Sequence, residues 1–296
     1  MIYPIISCLM SLDTSTQPPA ATGQASAESA TLTVGVFDSG VGGFTVAREV
    51  LQRRPDLNLV YFGDTLNMPY GGRAAQQLAR FATASISFLI DQGANILAVG
   101  CNASNSVLGQ GELRGFGIRV FDLVSSTVDS LLARPDPPDR LALVATVASI
   151  NSGYWQRKLR EAIPGIDLLE ITAPEFVPLV EDESADPARI HAAVAKTLQP
   201  CRSQGYTAIL HGCTHYPLLQ EYMQEFSPEF SFIDPAVCLA DSLAAHLPAP
   251  EEGAPLGWRR LYSSLPGPAF YGAAHKALGF PAEPLTKMYI VNACED

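Results

Sequence analysis

The chain has 296 residues, a formal net charge of −11, 47% hydrophobic residues and 17% charged residues. This composition is typical of a globular protein and excludes a wholly disordered chain, and the length suffices for one large α/β domain or two smaller ones. The 19 Lys and Arg residues form no basic stripe, which argues against nucleic acid as a partner. No apolar run reaches the roughly 18 residues of a transmembrane helix, so we expect no membrane partner.

The beginning of the chain differs in composition from the rest. Residues 11–30 are small, polar and Pro-containing, and the apolar stretch before them is short and lacks the basic start of a secretory signal. We therefore predict that residues 1–30 are a disordered extension and that the protein is cytoplasmic. In that compartment the six scattered cysteines are expected to be reduced thiols.

Short apolar runs alternate with helical patterns along the remainder of the chain. Strands are predicted, in chain order, at 33–37, 58–62, 96–99, 141–145, 166–171, 208–210 and 230–233. Helices are predicted at 76–92, between the second and third strands, and at 152–162. This alternation favours parallel sheets with helices on both faces. In such sheets ligands bind beyond the carboxyl ends of the strands, so functional residues are expected directly after the apolar runs.

The third and the sixth predicted strands are each followed by a Gly-Cys pair and then a polar residue. The two cysteines are Cys101 and Cys213. Upstream of each, at a similar separation, another strand ends in a polar turn, at Asp38 for the first and at Thr146 for the second. The repetition predicts two α/β units of related design, each presenting one thiol at the carboxyl end of a strand.

Two opposed thiols suit one kind of reaction. Racemising an α-carbon requires removal of its hydrogen from one face and return of a proton to the other, which a single base cannot readily do. A cysteine can act either as a thiolate base or as a thiol acid, so Cys101 and Cys213 are candidates for the pair. Asp38 and Ser39 are expected at the same edge as Cys101, and His215 is placed to ionise Cys213.

The sequence argues against a cofactor and against a metal. Pyridoxal phosphate, the standard cofactor for amino-acid racemisation, needs a Schiff-base lysine. The four lysines lie in helical or polar stretches or near the C-terminus: Lys158, Lys196, Lys276 and Lys287. Cys213 and His215 could both ligate a metal, but spacing identifies no further ligands. The residues interpreted as structural, packing or incidental are Cys8, Cys201, Cys238, Cys294 and Trp155.

Several blocks of the sequence, in order, resemble glutamate racemases of the aspartate/glutamate racemase superfamily. These blocks lie at 36–43, 61–64, 69–71, 101–102, 176–181 and 212–219. The last of them, Gly-Cys-Thr-His-Tyr-Pro-Leu-Leu, is highly specific. The resemblance runs from about residue 33 to the turn at 233–235, with weaker similarity towards the C-terminus.

The resemblance implies an α/β fold of two flavodoxin-like domains with parallel sheets and an active site in the cleft between them. The first domain would comprise residues 31–125 plus 235–296, and the second residues 126–234. It also implies cofactor-independent interconversion of L- and D-glutamate, which supplies D-glutamate for peptidoglycan, and a homodimer as the assembly.

The resemblance further assigns roles to individual residues. Cys101 would serve the face of the D-enantiomer and Cys213 the face of the L-enantiomer. Asp38, Glu181 and His215 match the auxiliary acid/base positions. The positions that match substrate contacts are Ser39, Pro69, Tyr70, Gly71, Asn102 and Thr214. Aspartate racemases of the superfamily tend to carry Glu where this chain has His215, so glutamate is expected to be preferred over aspartate.

The sequence departs from the family pattern beside Cys101. Ala103 stands where the family usually has a threonine, Asn105 is bulkier than the usual Ser or Thr, and the segment 145–149 departs from a threonine-rich pattern. These departures predict weaker substrate binding and leave the reaction type unchanged. The alternatives are a racemase for aspartate or another amino acid, a non-catalytic amino-acid-binding protein, and a decarboxylase that uses one thiol. The presence of both cysteines argues against the last two.

Overall fold

The computed structural model describes residues 32–182, 184–265, 268–278 and 286–290. The predicted disordered extension, residues 1–30, lies outside the described residues, and so do Cys8 and Cys294. In the part of the chain that the structure describes, every helix is too short or too polar to cross a membrane.

The first sheet has six parallel strands. They are β1 (Thr33–Asp38), β2 (Asn58–Gly63), β3 (Ile96–Val99), β4 (Arg119–Asp122), β9 (Arg259–Ser263) and β10 (Thr286–Ile290). Their order across the sheet is β10-β9-β2-β1-β3-β4. The three central strands β2, β1 and β3 are buried along their whole length, as expected for parallel strands covered on both faces.

The second sheet has four parallel strands. They are β5 (Arg140–Ala145), β6 (Asp167–Thr172), β7 (Ala208–Gly212) and β8 (Ser231–Ile233). Their order is β6-β5-β7-β8. Numbered from its own first strand, this sheet has the order 2-1-3-4, which is also the order of the strands β1 to β4 in the first sheet. The prediction of an α/β fold built on parallel sheets is confirmed, whereas the predicted boundaries of the two domains stay a prediction.

Helices connect the strands. In chain order they are α1 (Gly43–Arg53), α2 (Ala75–Asp91), α3 (Asn102–Val107), α4 (Gln110–Arg114), α5 (Leu123–Leu132), α6 (Val147–Ser152), α7 (Tyr154–Ala162), α8 (Phe176–Glu181), α9 (Pro187–Gln204), α10 (Gln220–Phe226), α11 (Pro235–His246) and α12 (Pro268–Leu278). Four begin at a residue whose side chain accepts a hydrogen bond from the first turn, namely Asp122, Thr146, Asp186 and Asp234. Such caps satisfy backbone N–H groups that have no partner within the helix.

The helices cover both faces of each sheet with apolar side chains. On the first sheet, α1, α11 and α12 pack on one face and α2 on the other. On the second sheet, α8, α9 and α10 pack on one face and α5 and α7 on the other. Each sheet therefore has its own core, and the carboxyl ends of the strands remain for the site.

The predicted strands and helices agree with the structure except for one helix, and three strands of the structure were not predicted. The helix predicted at 152–162 is interrupted, because Gly153 adopts the left-handed conformation (φ 64°) between α6 and α7. The strands β4, β9 and β10 were absent from the prediction. β4 is only four residues long and β9 begins with two arginines, so neither forms a long apolar run.

The order of the strands locates the site. In the first sheet β2 lies on one side of β1 and β3 lies on the other, so the chain reverses direction across the sheet after β2. In the second sheet β6 and β7 flank β5 in the same way. Crevices at such reversals, beyond the carboxyl ends of the strands, are the usual binding sites of open parallel sheets. Asp38 and Cys101 lie at the first reversal, and Thr146 and Cys213 at the second.

Candidate active site

The two cysteines occupy equivalent positions. Cys101 follows β3 and is the residue at which α3 begins. Cys213 directly follows β7. Cys101 is 4% exposed and Cys213 is 6% exposed, so burial does not distinguish them. The geometry thus matches the prediction that each sheet presents one thiol at the carboxyl end of a strand.

Asp38 joins the two sheets. It is the last residue of β1, and one carboxylate oxygen accepts a hydrogen bond of 2.7 Å from the N–H of Gly40. The other oxygen accepts a hydrogen bond of 3.0 Å from the hydroxyl of Thr214, which follows β7 in the second sheet. Burial raises the pKa of the Asp38 carboxyl, although the charge of His215 and these hydrogen bonds act in the opposite direction.

His215 connects Cys213 to Glu181. Its Nδ1 lies 3.8 Å from the Cys213 sulfur and its Nε2 lies 2.7 Å from a carboxylate oxygen of Glu181. The same oxygen accepts a hydrogen bond of 3.3 Å from the N–H of Val41, which lies in the turn between β1 and α1. Burial opposes a charged imidazole, but the hydrogen bonds with Cys213 and Glu181 outweigh it and raise the pKa of His215 well above its usual value. Cys213 therefore has a positively charged neighbour at neutral pH.

Cys101 has neighbours of a different kind. Burial, and then the negative charge of Asp38, raise the pKa of the Cys101 thiol to about 12, while hydrogen bonds from Ser104 lower it in part. The thiol donates to the hydroxyl of Ser39, with 3.9 Å between sulfur and oxygen. Cys101 is therefore a neutral thiol at physiological pH.

A glycine-rich turn between β1 and α1 allows the two sheets to approach. A Cβ on Gly42 would lie 2.3 Å from Nδ1 of His215 and 2.7 Å from the hydroxyl oxygen of Thr214. A Cβ on Gly40 would lie 2.7 Å from a Glu181 carboxylate oxygen. These distances leave no room for a side chain, so the turn is glycine because residues of the second sheet contact its backbone directly.

The structure brings the predicted acid/base residues together with two of the predicted substrate contacts. The residues joined by these contacts are Asp38, Ser39, Cys101, Glu181, Cys213, Thr214 and His215. The catalytic and binding roles of these residues stay predictions.

The other predicted substrate contacts lie at the edge of this cluster. Pro69, Tyr70 and Gly71 lie in the loop after β2, and a Cβ on Gly71 would be 3.2 Å from the Cβ of Thr146 in the second sheet. The side-chain oxygen of Asn102 accepts a hydrogen bond of 3.2 Å from the indole N–H of Trp155. Its amide nitrogen is buried and has no hydrogen-bond partner within the described residues.

The sequence interpretation missed two features of this site. Thr146 was noted as a strand end, which was the available signal, but it received no role. Trp155 was interpreted as a packing residue; it is fully buried and also fixes the orientation of Asn102.

The departures from the family pattern have a structural counterpart in one case. The side-chain oxygen of Asn105 accepts a hydrogen bond of 3.0 Å from the N–H of Val124, in the first turn of α5. The larger side chain at 105 therefore ties α3 to the start of α5. Ala103 is buried in the apolar core that also contains Cys101. The weaker substrate binding predicted from Ala103 stays a prediction.

A metal site has no support in the arrangement of the ligating side chains. Among the described residues, His, Cys, Asp and Glu form no group of three or more that is arranged to hold a metal ion. His211, next to Gly212, is fully buried and its ring stacks on Phe232, with 5.1 Å between the ring centres. Burial lowers the pKa of His211 to about 4, so this ring is neutral at physiological pH.

Comparison with known proteins agrees with this geometry. Residues 49–243 match the family model described as Asp/Glu/Hydantoin racemase. The chain belongs to this family.

Named relatives share much of the chain. It is 32% identical over 269 residues to a glutamate racemase of Desulforudis audaxviator, which covers 88% of this chain and 98% of that protein. It is 34% identical over 210 residues to a glutamate racemase of Aquifex aeolicus, covering 71% of this chain and 81% of that protein.

Solved structures are similar over most of the chain as well. The glutamate racemase of Thermus thermophilus in complex with β-chloro-D-alanine has a TM-score of 0.73 at 28% identity, over 88% of this chain and 98% of that one. A glutamate racemase of Bacillus anthracis has a TM-score of 0.78 at 24% identity, over 88% of this chain and 97% of that one. At this identity the similarity is evidence for a shared fold only.

Proposed function

We propose that the protein interconverts L- and D-glutamate without a cofactor, with Cys101 and Cys213 as its two acid/base groups. The observation that carries this proposal is the pair of buried cysteines at equivalent strand ends of two sheets, each with its own ionisable neighbour. The names of the relatives support glutamate as the substrate.

The charges favour one starting state. We place the reactive thiolate on Cys213, beside the protonated ring of His215, and the proton on Cys101. For L-glutamate, the Cys213 thiolate removes the α-hydrogen as a proton and becomes a thiol. The Cys101 thiol then donates its proton to the opposite face of the α-carbon and becomes a thiolate, which yields D-glutamate.

The starting state must then be restored. A thiolate on Cys101 regains a proton from the water that enters as the product leaves, because its pKa is about 12 and the negative charge of Asp38 disfavours the thiolate. On the other side, the protonated ring of His215 passes its Nε2 proton to Glu181 and takes the proton of Cys213 at Nδ1, and Glu181, which reaches solvent, releases its proton to water. In the reverse direction Cys101 must ionise first, and Asp38, whose own pKa is raised by burial, is the group suited to accept that proton.

The substrate contacts follow from the same arrangement. Ser39 and Thr214 present hydroxyls beside the two thiols, and Asn102 has a buried amide nitrogen free to donate. Pro69, Tyr70 and Gly71 would contact the substrate from the loop after β2. A glutamate racemase of Francisella tularensis has been solved with D-glutamate, which supports an amino acid of this size as the ligand.

The wider biological setting of the proposal comes from the family resemblance. It comprises a supply of D-glutamate for peptidoglycan, a cytoplasmic location, a homodimer, and the division into domains at 31–125 plus 235–296 and 126–234.

The proposal is tested by incubating the purified protein with L-glutamate in D₂O without added cofactor. Loss of optical rotation together with deuterium at the α-carbon is the expected result. L-Aspartate is tested in the same way for comparison, and its kcat/KM is expected to be much lower than that of L-glutamate. Absence of both α-deuteration and loss of rotation would refute the racemase proposal, and comparable kcat/KM values would refute only the choice of glutamate.

A further inference from the structure

The loop after β2 is held by a segment that lies about two hundred residues further along the chain. We call residues 64–73 the substrate loop and residues 263–265 the return segment. β9 pairs with β2 so that Ser263 lies opposite Gly63, and the N–H of Ser264 donates to the carbonyl of Gly63 at 3.1 Å. The return segment therefore runs beside the substrate loop where the loop leaves the sheet.

A buried carboxylate, Asp64, connects the two segments. It accepts hydrogen bonds from the side-chain amide of Asn67 at 3.0 Å, from the hydroxyl of Tyr70 at 2.5 Å and from the hydroxyl of Ser264 at 2.8 Å. The backbone N–H of Asp64 donates to the carbonyl of Asp38 at 2.9 Å. One side chain thus links the substrate loop to the return segment and, through its own backbone, to the end of β1.

The hydroxyl of Ser264 has a fixed direction. It accepts a hydrogen bond of 3.0 Å from the N–H of Leu66 and donates to Asp64. A backbone N–H can only donate and an ionised carboxylate can only accept, so a single orientation of the hydroxyl satisfies both. The neighbouring Ser263 bonds to the hydroxyl of Thr65 and to the carbonyl of Leu265 instead.

The geometry points to Ser264 as a positioning residue for the substrate loop. Its hydroxyl orients Asp64, and Asp64 holds Tyr70, so the adjoining Gly71 keeps its place opposite Thr146. This inference rests on the proposed function for the contact between the loop and glutamate. Ser264 contacts neither thiol, so its loss weakens substrate binding and leaves proton transfer intact.

Three variants test this role. In Ser264→Ala the KM for L- and D-glutamate rises about tenfold, equivalent to about 1.4 kcal/mol, while kcat stays within about twofold of the wild type. Ser264→Thr keeps a hydroxyl and restores the wild-type KM. Ser85→Ala, the matched control, removes a buried hydroxyl that donates to the carbonyl of Phe81 within α2, and it leaves KM unchanged.

Hydrogen exchange supplies a measurement that does not depend on activity. The amides of residues 65–73 exchange faster in Ser264→Ala than in the wild type or in Ser85→Ala. If Ser264→Ala does not fold, Asn67→Ala, which removes a donor from the other side of Asp64, must show the same rise in KM.

The outcomes separate this inference from the proposed function. A wild-type protein that does not racemise glutamate refutes the proposed function and with it the catalytic part of the inference. With an active wild type, the inference is overturned by an unchanged KM and unchanged exchange, by a fall in kcat in place of the rise in KM, or by equal effects of Ser85→Ala.

Discussion

The surroundings of Cys101 and of Cys213 differ in charge although their positions in the two sheets are equivalent. Both follow a buried strand and both are almost fully buried. The ionisable neighbour of Cys101 is the carboxylate of Asp38, which favours a thiol, whereas that of Cys213 is the imidazole of His215, which favours a thiolate. Similar backbone positions therefore lie beside neighbours of opposite charge, Asp38 in one sheet and His215 in the other.

The values of kcat/KM for racemisation cannot reveal this difference between the two cysteines. The two enantiomers of glutamate have equal free energies in water, so kcat/KM must be the same in both directions for any variant. An irreversible reaction has no such constraint. Elimination of a β leaving group from an amino-acid analogue needs removal of the α-hydrogen by one base only, so each enantiomer of the analogue reports on one cysteine.

The largest effect is expected for loss of either thiol. Cys101→Ser and Cys213→Ser each lower kcat/KM for racemisation by about a thousandfold or more, because a serine hydroxyl is a far weaker base and each direction needs both groups. Racemisation followed by circular dichroism measures this loss. Cys213→Ser retains elimination from the D-enantiomer of β-chloroalanine, and Cys101→Ser retains elimination from the L-enantiomer.

The matched control is Cys201→Ser, since Cys201 is equally buried but lies in α9, away from the cleft. Racemisation by either active-site serine variant near the wild-type rate would overturn the two-thiol mechanism.

The next effect distinguishes the charged neighbours. His215→Asn and Asp38→Asn each lower kcat/KM for racemisation about a hundredfold, within the range of general acid/base contributions. His215→Asn reduces elimination from the L-enantiomer of β-chloroalanine more than from the D-enantiomer, and Asp38→Asn has the reverse preference. Equal losses for both enantiomers in both variants would mean that the two neighbours are not assigned to separate cysteines.

Chemical labelling of the free protein measures the same asymmetry directly. At pH 7.5 iodoacetamide modifies Cys213 roughly tenfold or more faster than Cys101, because only a thiolate reacts and the pKa of Cys101 is about 12. Peptide mass spectrometry at short times gives both rates. The exposed fractions of the two side chains are nearly equal, so accessibility does not explain a preference. A preference for Cys101 contradicts the assigned proton states.

The pH dependence of stability gives a smaller effect. The pKa of His215 is raised on folding, so its protonated ring stabilises the fold fully below about pH 6.5 and loses this effect as the pH rises through the folded pKa. Urea unfolding is therefore expected to show a larger difference between wild type and His215→Asn at pH 6 than at alkaline pH.

His211 supplies a control of opposite sign. Its pKa falls to about 4 on folding, so stability gained from the neutral buried ring is present above about pH 6.5 and is lost as the pH falls towards 4.

A difference between wild type and His215→Asn that grows with pH would contradict the contacts described for His215.

The smallest effect concerns the side of the site where the chain departs from its family. The sequence from Gly212 to Leu219 around Cys213 matches the family pattern, whereas Ala103, two residues after Cys101, replaces the usual threonine. A restored hydroxyl that bonds charged substrate would contribute about 1.5 kcal/mol, so Ala103→Thr is expected to lower KM about tenfold with little change in kcat.

Ala103→Ser is the control for this prediction, because it adds the hydroxyl with less volume to a buried position. A KM that is unchanged or raised in both variants would show that the site has already compensated for the missing threonine.

The sequence was most informative where one strand carries both an apolar run and a chemical residue at its end. Asp38, Cys101 and Cys213 were placed correctly on that basis. Contacts made between distant segments had no local signal, and so the bond from Trp155 to Asn102 and the role of Asp64 were not predicted. β9 was missed for a related reason: its arginines break the apolar pattern, yet Arg259 is buried with its guanidinium donating to backbone carbonyls.

The hydrogen bonds that join the sheets are made by the same side chains that are proposed to move protons. A movement that parted the sheets would separate Thr214 from Asp38 or Glu181 from Val41. Such a movement would therefore displace a carboxylate from its place beside the proposed proton carriers, so the alignment of the two sheets and the arrangement of the acid/base groups depend on the same bonds.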